Sequence, residues 1–204
     1  MKKILFLASL LCAAIVSNAE RVTKIDDFKD GESKFGFEAT ATKKHSVSMD
    51  GEYLVITNKK DDWYMVGQRF PVIARNNFTI SYKLLFPKLN EDCVYGLVFN
   101  YVEDEENPAK STGDILYITE GKFYLADADG TKIGKTQKIK LKKGKNVEVN
   151  VVIEKKSKKT LISINGVDFE NEDLQIKTAY MGFIVNEKNT LKVDQIKIIQ
   201  NVED

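Results

Sequence analysis

Cys93–Tyr101, CVYGLVFNY, is a run of apolar, β-branched and aromatic residues closed in by charge, with Glu91-Asp92 before it and Glu103-Asp104-Glu105-Glu106 after it. Its length and continuity read as a strand covered on both faces, the centre of a packed sheet. Side chains alternate along a strand, so Cys93, Tyr95, Leu97, Phe99 and Tyr101 share one face and Val94, Gly96, Val98 and Asn100 the other. One face is bulky; the other is small and ends in an amide. The bulky face is expected to fill a core. The small face is expected to leave room for something else.

Outward from this strand the chain continues strand after strand. Ser46–Met49 and Glu52–Asn58 flank Asp50-Gly51, whose residues tolerate the positive φ of a tight hairpin. Trp63–Phe70 follows, then Phe78–Phe86 with its strict alternation of Phe78, Ile80, Tyr82, Leu84 and Phe86. Asp114–Thr119 and Lys122–Asp127 are joined through Glu120-Gly121 as a second hairpin. Val147–Glu154 and Lys159–Asn165 bracket a KKSKK turn, Asn165-Gly166 reverses the chain into Val167–Phe169, and Ala179–Asn186 and Thr190–Ile199 close it. The strands recur with turn signals every 8 to 12 residues or so, the spacing of an all-β sandwich or barrel. Only Glu172–Ile176 offers a single helical turn, and no longer repeat indicates a propeller or solenoid.

Residues 1–19 carry Lys2 and Lys3, an apolar run from Ile4 to Val16, and the small-residue ending Ser17-Asn18-Ala19. This reads as a cleavable secretory signal peptide, so the protein is expected to be secreted or periplasmic. Removing 19 of 204 residues leaves 185, expected to form a single domain over 20–204. Two of the 31 basic side chains leave with the signal, so 29 face 30 acidic ones and no net charge recruits nucleic acid or an anionic membrane. No second apolar run reaches the length of a membrane span, so no membrane insertion is expected after cleavage. Cys93 is the only cysteine left, which excludes an internal disulfide and reads as an inert buried thiol.

The order of motifs carries a resemblance. A YGLVF strand at 95–99, the strand Ile115-Leu116-Tyr117-Ile118-Thr119, then Gly121-Lys122-Phe123-Tyr124-Leu125, Lys143-Gly144-Lys145-Asn146 running into VEVNVVIE, LISINGVDF, and Met181-Gly182-Phe183-Ile184-Val185 before VDQIKII resemble the concanavalin A-like lectin/glucanase superfamily. Within it they are most similar to laminin-G-like and 3-keto-disaccharide-hydrolase-like secreted modules. The resemblance spans about Phe35 to Gln200 and implies an all-β jelly-roll sandwich of two curved antiparallel sheets, with glycan or partner recognition on the concave face or on the loops at one end. It also implies that the polar residue after the Phe of the YGLVF strand, Asn100, points into that face.

The catalytic members' signature is missing. Retaining cleavage needs paired carboxyls across the scissile bond, and laminarinase-like members alternate them on one strand. The nearest acidic cluster here, Glu103–Glu106, runs into Asn107-Pro108 and reads as a solvated loop. Asp127-Ala128-Asp129-Gly130 begins like a calcium loop, but Lys138 stands where the twelfth-position Glu is required, so it reads as a hairpin turn. His45, the only histidine, is expected to be exposed, and no metal site or cofactor is expected. The seven lysines between Lys132 and Lys145 contain no aromatic residue and read as a lysine-protected edge strand. Their alternative is a contact surface for an anionic polysaccharide.

The functional hint lies in aromatic residues near polar ones. Trp63 and Tyr64 stand at a strand entrance, Arg69 and Gln68 lie on the same strand, and Tyr117 is on a following one. Aromatic faces stack on the apolar face of a sugar while amides and guanidinium groups bond its hydroxyls. The expected ligand-binding set is therefore Trp63, Tyr64, Arg69, Asn100 and Tyr117, in a non-catalytic exported module that recognises a carbohydrate or partner protein. The alternative is a glycoside hydrolase of the 3-keto-disaccharide-hydrolase-like kind, with Glu120, Asp114 and Asp62 as the nearest acids and bases.

Overall fold

The computed structural model describes residues 20–104, 111–127, 130–157, 159–171 and 174–202. The signal-peptide reading of 1–19, the end of the acidic run at Glu105-Glu106, the Ala128-Asp129 half of the second Asp-Gly turn, and Glu172-Asp173 of the expected helical turn lie outside these residues. Among the described residues there are strands and no helix, hence none long and apolar enough to cross a membrane.

The described residues form fifteen strands: β1 Glu20–Asp26, β2 Thr40–Ala41, β3 His45–Met49, β4 Leu54–Asn58, β5 Tyr64–Arg69, β6 Phe78–Leu89, β7 Tyr95–Val102, β8 Thr112–Thr119, β9 Lys122–Ala126, β10 Lys132–Lys138, β11 Gly144–Lys156, β12 Lys159–Ile164, β13 Val167–Asn171, β14 Tyr180–Val185 and β15 Thr190–Val202. They form two antiparallel sheets, one of nine strands in the order β13-β12-β11-β6-β15-β4-β3-β2 with β1 also on β15, and one of six in the order β10-β9-β8-β7-β14-β5. β1 and β4 lie end to end along one side of β15, against Ile196–Val202 and Thr190–Val193 respectively. The fold is the all-β jelly-roll sandwich expected from the sequence.

The alternation of β6 decides how the sheets pack. Phe78, Ile80, Tyr82, Leu84 and Phe86 are all buried, while Thr79, Ser81, Lys83 and Leu85 between them face outward to varying degrees. Aromatic rings join the layers: Tyr82 meets Phe183 of β14 edge-on at 5.9 Å, and Phe86 stacks on Tyr95 of β7 at 4.0 Å. Fully burying such a side chain contributes about 1.5–3 kcal/mol by area. Cys93 is buried, as expected, with its thiol donating to Asn189 Oδ1 at 3.3 Å.

β7 is a central strand of the six-stranded sheet, with Tyr95, Leu97 and Phe99 in the core between the sheets and Val98 on the other face. Tyr101 departs from the expected face. Asn100 takes a positive φ of 53° and the β7–β8 register shifts between Phe99 and Val102, so one residue drops out of the alternation. Tyr101 therefore joins Val98, Ile115 and Ile184 in a separate apolar cluster on the outer face.

Other boundaries shift for local reasons. Met49 pairs with Leu54, so the first hairpin turns through the four residues Asp50–Tyr53, with the Asp50 carboxylate accepting from the Glu52 and Tyr53 amides. The Glu120-Gly121 hairpin is a two-residue turn, Thr119 facing Lys122. β10 is an edge strand carrying Lys132, Lys135 and Lys138, as the lysine spacing predicts. β1 and β2 are strands that the sequence reading does not contain.

Candidate functional site

Alternation and register place two rows of side chains on the outer face of the six-stranded sheet. One row runs Met65, Ile184, Gly96, Tyr117, Tyr124 across β5, β14, β7, β8 and β9. The next runs Gly67, Gly182, Val98, Ile115, Ala126. Gly67 leaves space that Tyr101 fills: a Cβ on it would come within 2.2 Å of that ring, whereas a Cβ on Gly182 would meet the backbone of Val66 and Gly67. Gly96 is no open hollow, because methyl groups of Ile184 and Ile115 close over it, 2.7 and 3.2 Å from where its Cβ would stand.

Trp63 stands just ahead of β5 and is 43% exposed. Three strand spacings, about 14 Å, separate β5 from β8, yet the Trp63 and Tyr117 rings meet edge-to-face at 5.6 Å. Their side chains lean toward each other across Ile184 and the side-chain-free Gly96. Tyr117 then stacks on Tyr124 with centroids 5.1 Å apart. Trp63, Tyr117 and Tyr124 thus form one continuous aromatic surface. Burial raises both phenol pKa values, that of Tyr117 further through the neighbouring Tyr124, so both hydroxyls keep their protons at neutral pH.

The loop that presents Trp63 is pinned from below. Asn58 is 1% exposed, donates to the Asp62 carbonyl at 2.6 Å and the Val185 carbonyl at 3.4 Å, and accepts from the Lys60 amide at 2.9 Å. Lys188 adds an ion pair with Asp61 at 2.5 Å. The indole therefore projects from a fixed turn.

Of the expected ligand-binding residues, only Trp63 and Tyr117 come together. Tyr64 points to the opposite side of β5, packs against the core and stacks on His45 at 4.2 Å. His45 is accordingly half-buried, not exposed, with Nε2 3.3 Å from Asp62 Oδ1. The pair borders a cleft of about 470 Å³ shared by Glu38, Thr40, Gln68 and Tyr101. Arg69, at the far end of β5, borders another cleft of about 450 Å³ with Lys24, Phe70, Ile73 and Gln200. Asn100 is committed to the chain: its amide donates to Asp114 Oδ2 at 2.6 Å and the Gln175 carbonyl at 2.8 Å, and its oxygen accepts from the Lys177 and Thr178 amides at 2.7 and 3.2 Å. It fastens the 175–178 segment to β7.

Tyr124 was missing from the expected set, although the Glu120-Gly121 hairpin signals it: counting back from the turn puts Tyr117 and Tyr124 opposite each other. Asn58 was missing too, and no local pattern marks it. The three carboxylates nearest the aromatic strands are held apart: Asp62 faces His45, Asp114 faces Asn100, and Glu120 lies in the β8–β9 turn. Among the described residues no three His, Cys, Asp or Glu side chains gather as a metal site.

No protein-family model matches the sequence, and no curated protein matches it. Solved structures do. The Emp46p carbohydrate recognition domain in its metal-free form aligns with a TM-score of 0.58 at 11% identity, covering 76% of this chain and 85% of that one. The VIP36 exoplasmic/lumenal domain, bound to Ca2+ and Man2, aligns at 0.56 and 6% identity, covering 89% and 88%. A structure described under endo-acting O-glycanases of human gut microbiota that initiate mucin breakdown aligns at 0.52 and 10% identity, covering 87% and 91%. With its two antiparallel sheets and central YGLVF strand, the chain has the concanavalin A-like jelly-roll fold.

Proposed function

We propose that this is an exported, non-catalytic carbohydrate-binding protein whose glycan lies on the outer face of the six-stranded sheet, across Trp63, Tyr117 and Tyr124. One observation carries the reading: an exposed indole, held on a pinned turn, joins two cross-strand tyrosines into an unbroken aromatic surface. A sugar ring has an apolar face that stacks on such rings and hydroxyls at its rim, and the protonated phenols supply donors and acceptors for them. Among the described residues the carboxylates nearest the aromatic strands, Asp62, Asp114 and Glu120, stand apart from one another, which favours recognition over hydrolysis. The fold shared with a carbohydrate recognition domain supports the ligand class as an analogy.

Isothermal titration of the chain from residue 20 against a glycan panel tests it. We expect one glycan class to bind, and Trp63→Ala and Tyr117→Ala each to weaken binding by about tenfold or more, on the ~1–3 kcal/mol scale of a stacked ring. Loss of binding without loss of thermal stability supports the reading. Binding untouched by both variants, or no binding across the panel, overturns it.

A further inference from the structure

We infer that the glycan held by this aromatic surface is polyanionic, a polysaccharide bearing carboxylate or sulfate groups on its sugars. The inference rests on the carbohydrate reading above and names its ligand class. The charge at the two ends of the surface is unlike. At the Trp63 end, Asp61 and Asp62 are occupied by Lys188 and His45. At the Tyr124 end, Lys122, Lys132 and Lys138 are exposed, and none forms an ion pair among the described residues.

Register puts these lysines on the same face as the aromatic rings. Lys122, Tyr124 and Ala126 are alternate residues of β9 and share its outer side, while Ile133 of β10 opposes Leu125 and packs toward the core. Lys138 lies directly opposite Lys122, and Lys132 directly opposite Ala126. The β9–β10 register shifts between Ile133 and Gln137 by an even number of residues, so Lys132 and Lys138 keep the same facing. Like charges directly opposite one another destabilise a strand pair. An anionic group seated between Lys122 and Lys138 relieves that repulsion, and a glycan whose sugars lie on Tyr117 and Tyr124 carries its acid groups to that position.

Lysines beside aromatic rings also describe a single-stranded nucleic-acid surface. The glycan is favoured because nucleic-acid affinity comes from neutralising many phosphates, whereas the chain from residue 20 carries 29 basic against 30 acidic side chains.

The experiment titrates the chain from residue 20 with polygalacturonate and dextran sulfate, with their uncharged counterparts methyl-esterified pectin and dextran, and with oligothymidylate. We expect polygalacturonate or dextran sulfate to bind about tenfold or more tighter than its uncharged counterpart, and to weaken with added salt as exposed charge pairs do. The Lys122→Glu/Lys138→Glu double variant should lose about tenfold or more of that affinity, while Lys83→Glu on the other sheet stays within about twofold. The polymer that binds tells carboxylate from sulfate. Uncharged glycans binding equally well, with Trp63→Ala sensitive and the lysine variant not, overturn the polyanion assignment and leave the carbohydrate reading standing. Polyanions binding through the lysines with Trp63→Ala and Tyr124→Ala silent overturn both, as does oligothymidylate binding as tightly as either polysaccharide. Thermal unfolding of each variant separates loss of contact from loss of fold.

Discussion

On its inner side β7 sets Tyr95, Leu97 and Phe99 against the nine-stranded sheet, each 1% exposed or less. On its outer side Gly96 and Val98 belong to rows that lead away from the strand to Tyr117, Tyr124 and Trp63, where the rings are partly open to water. The six-stranded sheet thus carries aromatic residues on both faces, closed over by a second layer on one and left as a surface on the other. Whether a ring is core or contact is decided by what stands opposite it.

Substitutions that break this contrast should split cleanly. Phe99→Ala removes a fully buried ring from the inner face and should destabilise the protein by about 3–5 kcal/mol, read as a lower urea midpoint with an unchanged m-value. Trp63→Ala, on the outer face, should stay within about 1 kcal/mol of the parent while glycan affinity falls. A large stability loss from Trp63→Ala would mean that the outer rings are a second core and that the contrast does not hold.

Asn100 tests the hinge between the two faces. The sequence reading points Asn100 into a ligand-binding face, whereas its side chain is bonded within the chain. The amide serves four partners across the chain and the residue sits at φ 53°, a conformation Asn tolerates and Ala resists. Asn100→Ala should cost about 2–4 kcal/mol and leave the Trp63 surface binding its glycan at temperatures where the variant is folded. Asn100→Gly, which relieves the backbone but not the lost bonds, should recover about 1 kcal/mol of that. Equal losses in the two would remove the backbone from the explanation.

What could be read from the sequence is what local chemistry dictates. The alternation of β6, the Glu120-Gly121 hairpin and the lysine-rich edge β10 follow from neighbours within a few residues. The bulge at Asn100 does not, because the partners that hold it come from residues 175–178, and Phe-Asn-Tyr without them reads as ordinary alternation. The same limit explains why Tyr64 and Arg69 were grouped with Trp63: adjacency along a strand is visible in sequence. The meeting of Trp63 with Tyr117 needs the order β5-β14-β7-β8, which pairs residues from distant parts of the chain. β1 left no sign because its strand is mostly exposed and its only fully buried residue is Asp26.

The inner face contains its own, smaller contrast, between two tyrosines buried to the same degree. The Tyr95 hydroxyl donates to the Lys88 carbonyl, whereas the Tyr82 hydroxyl has no partner among the described residues. Burial raises both phenols well above their ordinary pKa, so each is neutral and differs only in its hydrogen bonding. A buried hydroxyl without a partner loses water and gains nothing in exchange, a cost of about 1–3 kcal/mol that Phe does not carry. Tyr82→Phe should therefore be neutral or stabilising by up to about 1 kcal/mol, and Tyr95→Phe should destabilise by about 1 kcal/mol, since it gives up the bond to the Lys88 carbonyl. Urea titrations of the two variants read the difference directly. A Tyr82→Phe loss as large as that of Tyr95→Phe would show that the Tyr82 hydroxyl is bonded in solution, and would remove this contrast from the inner face.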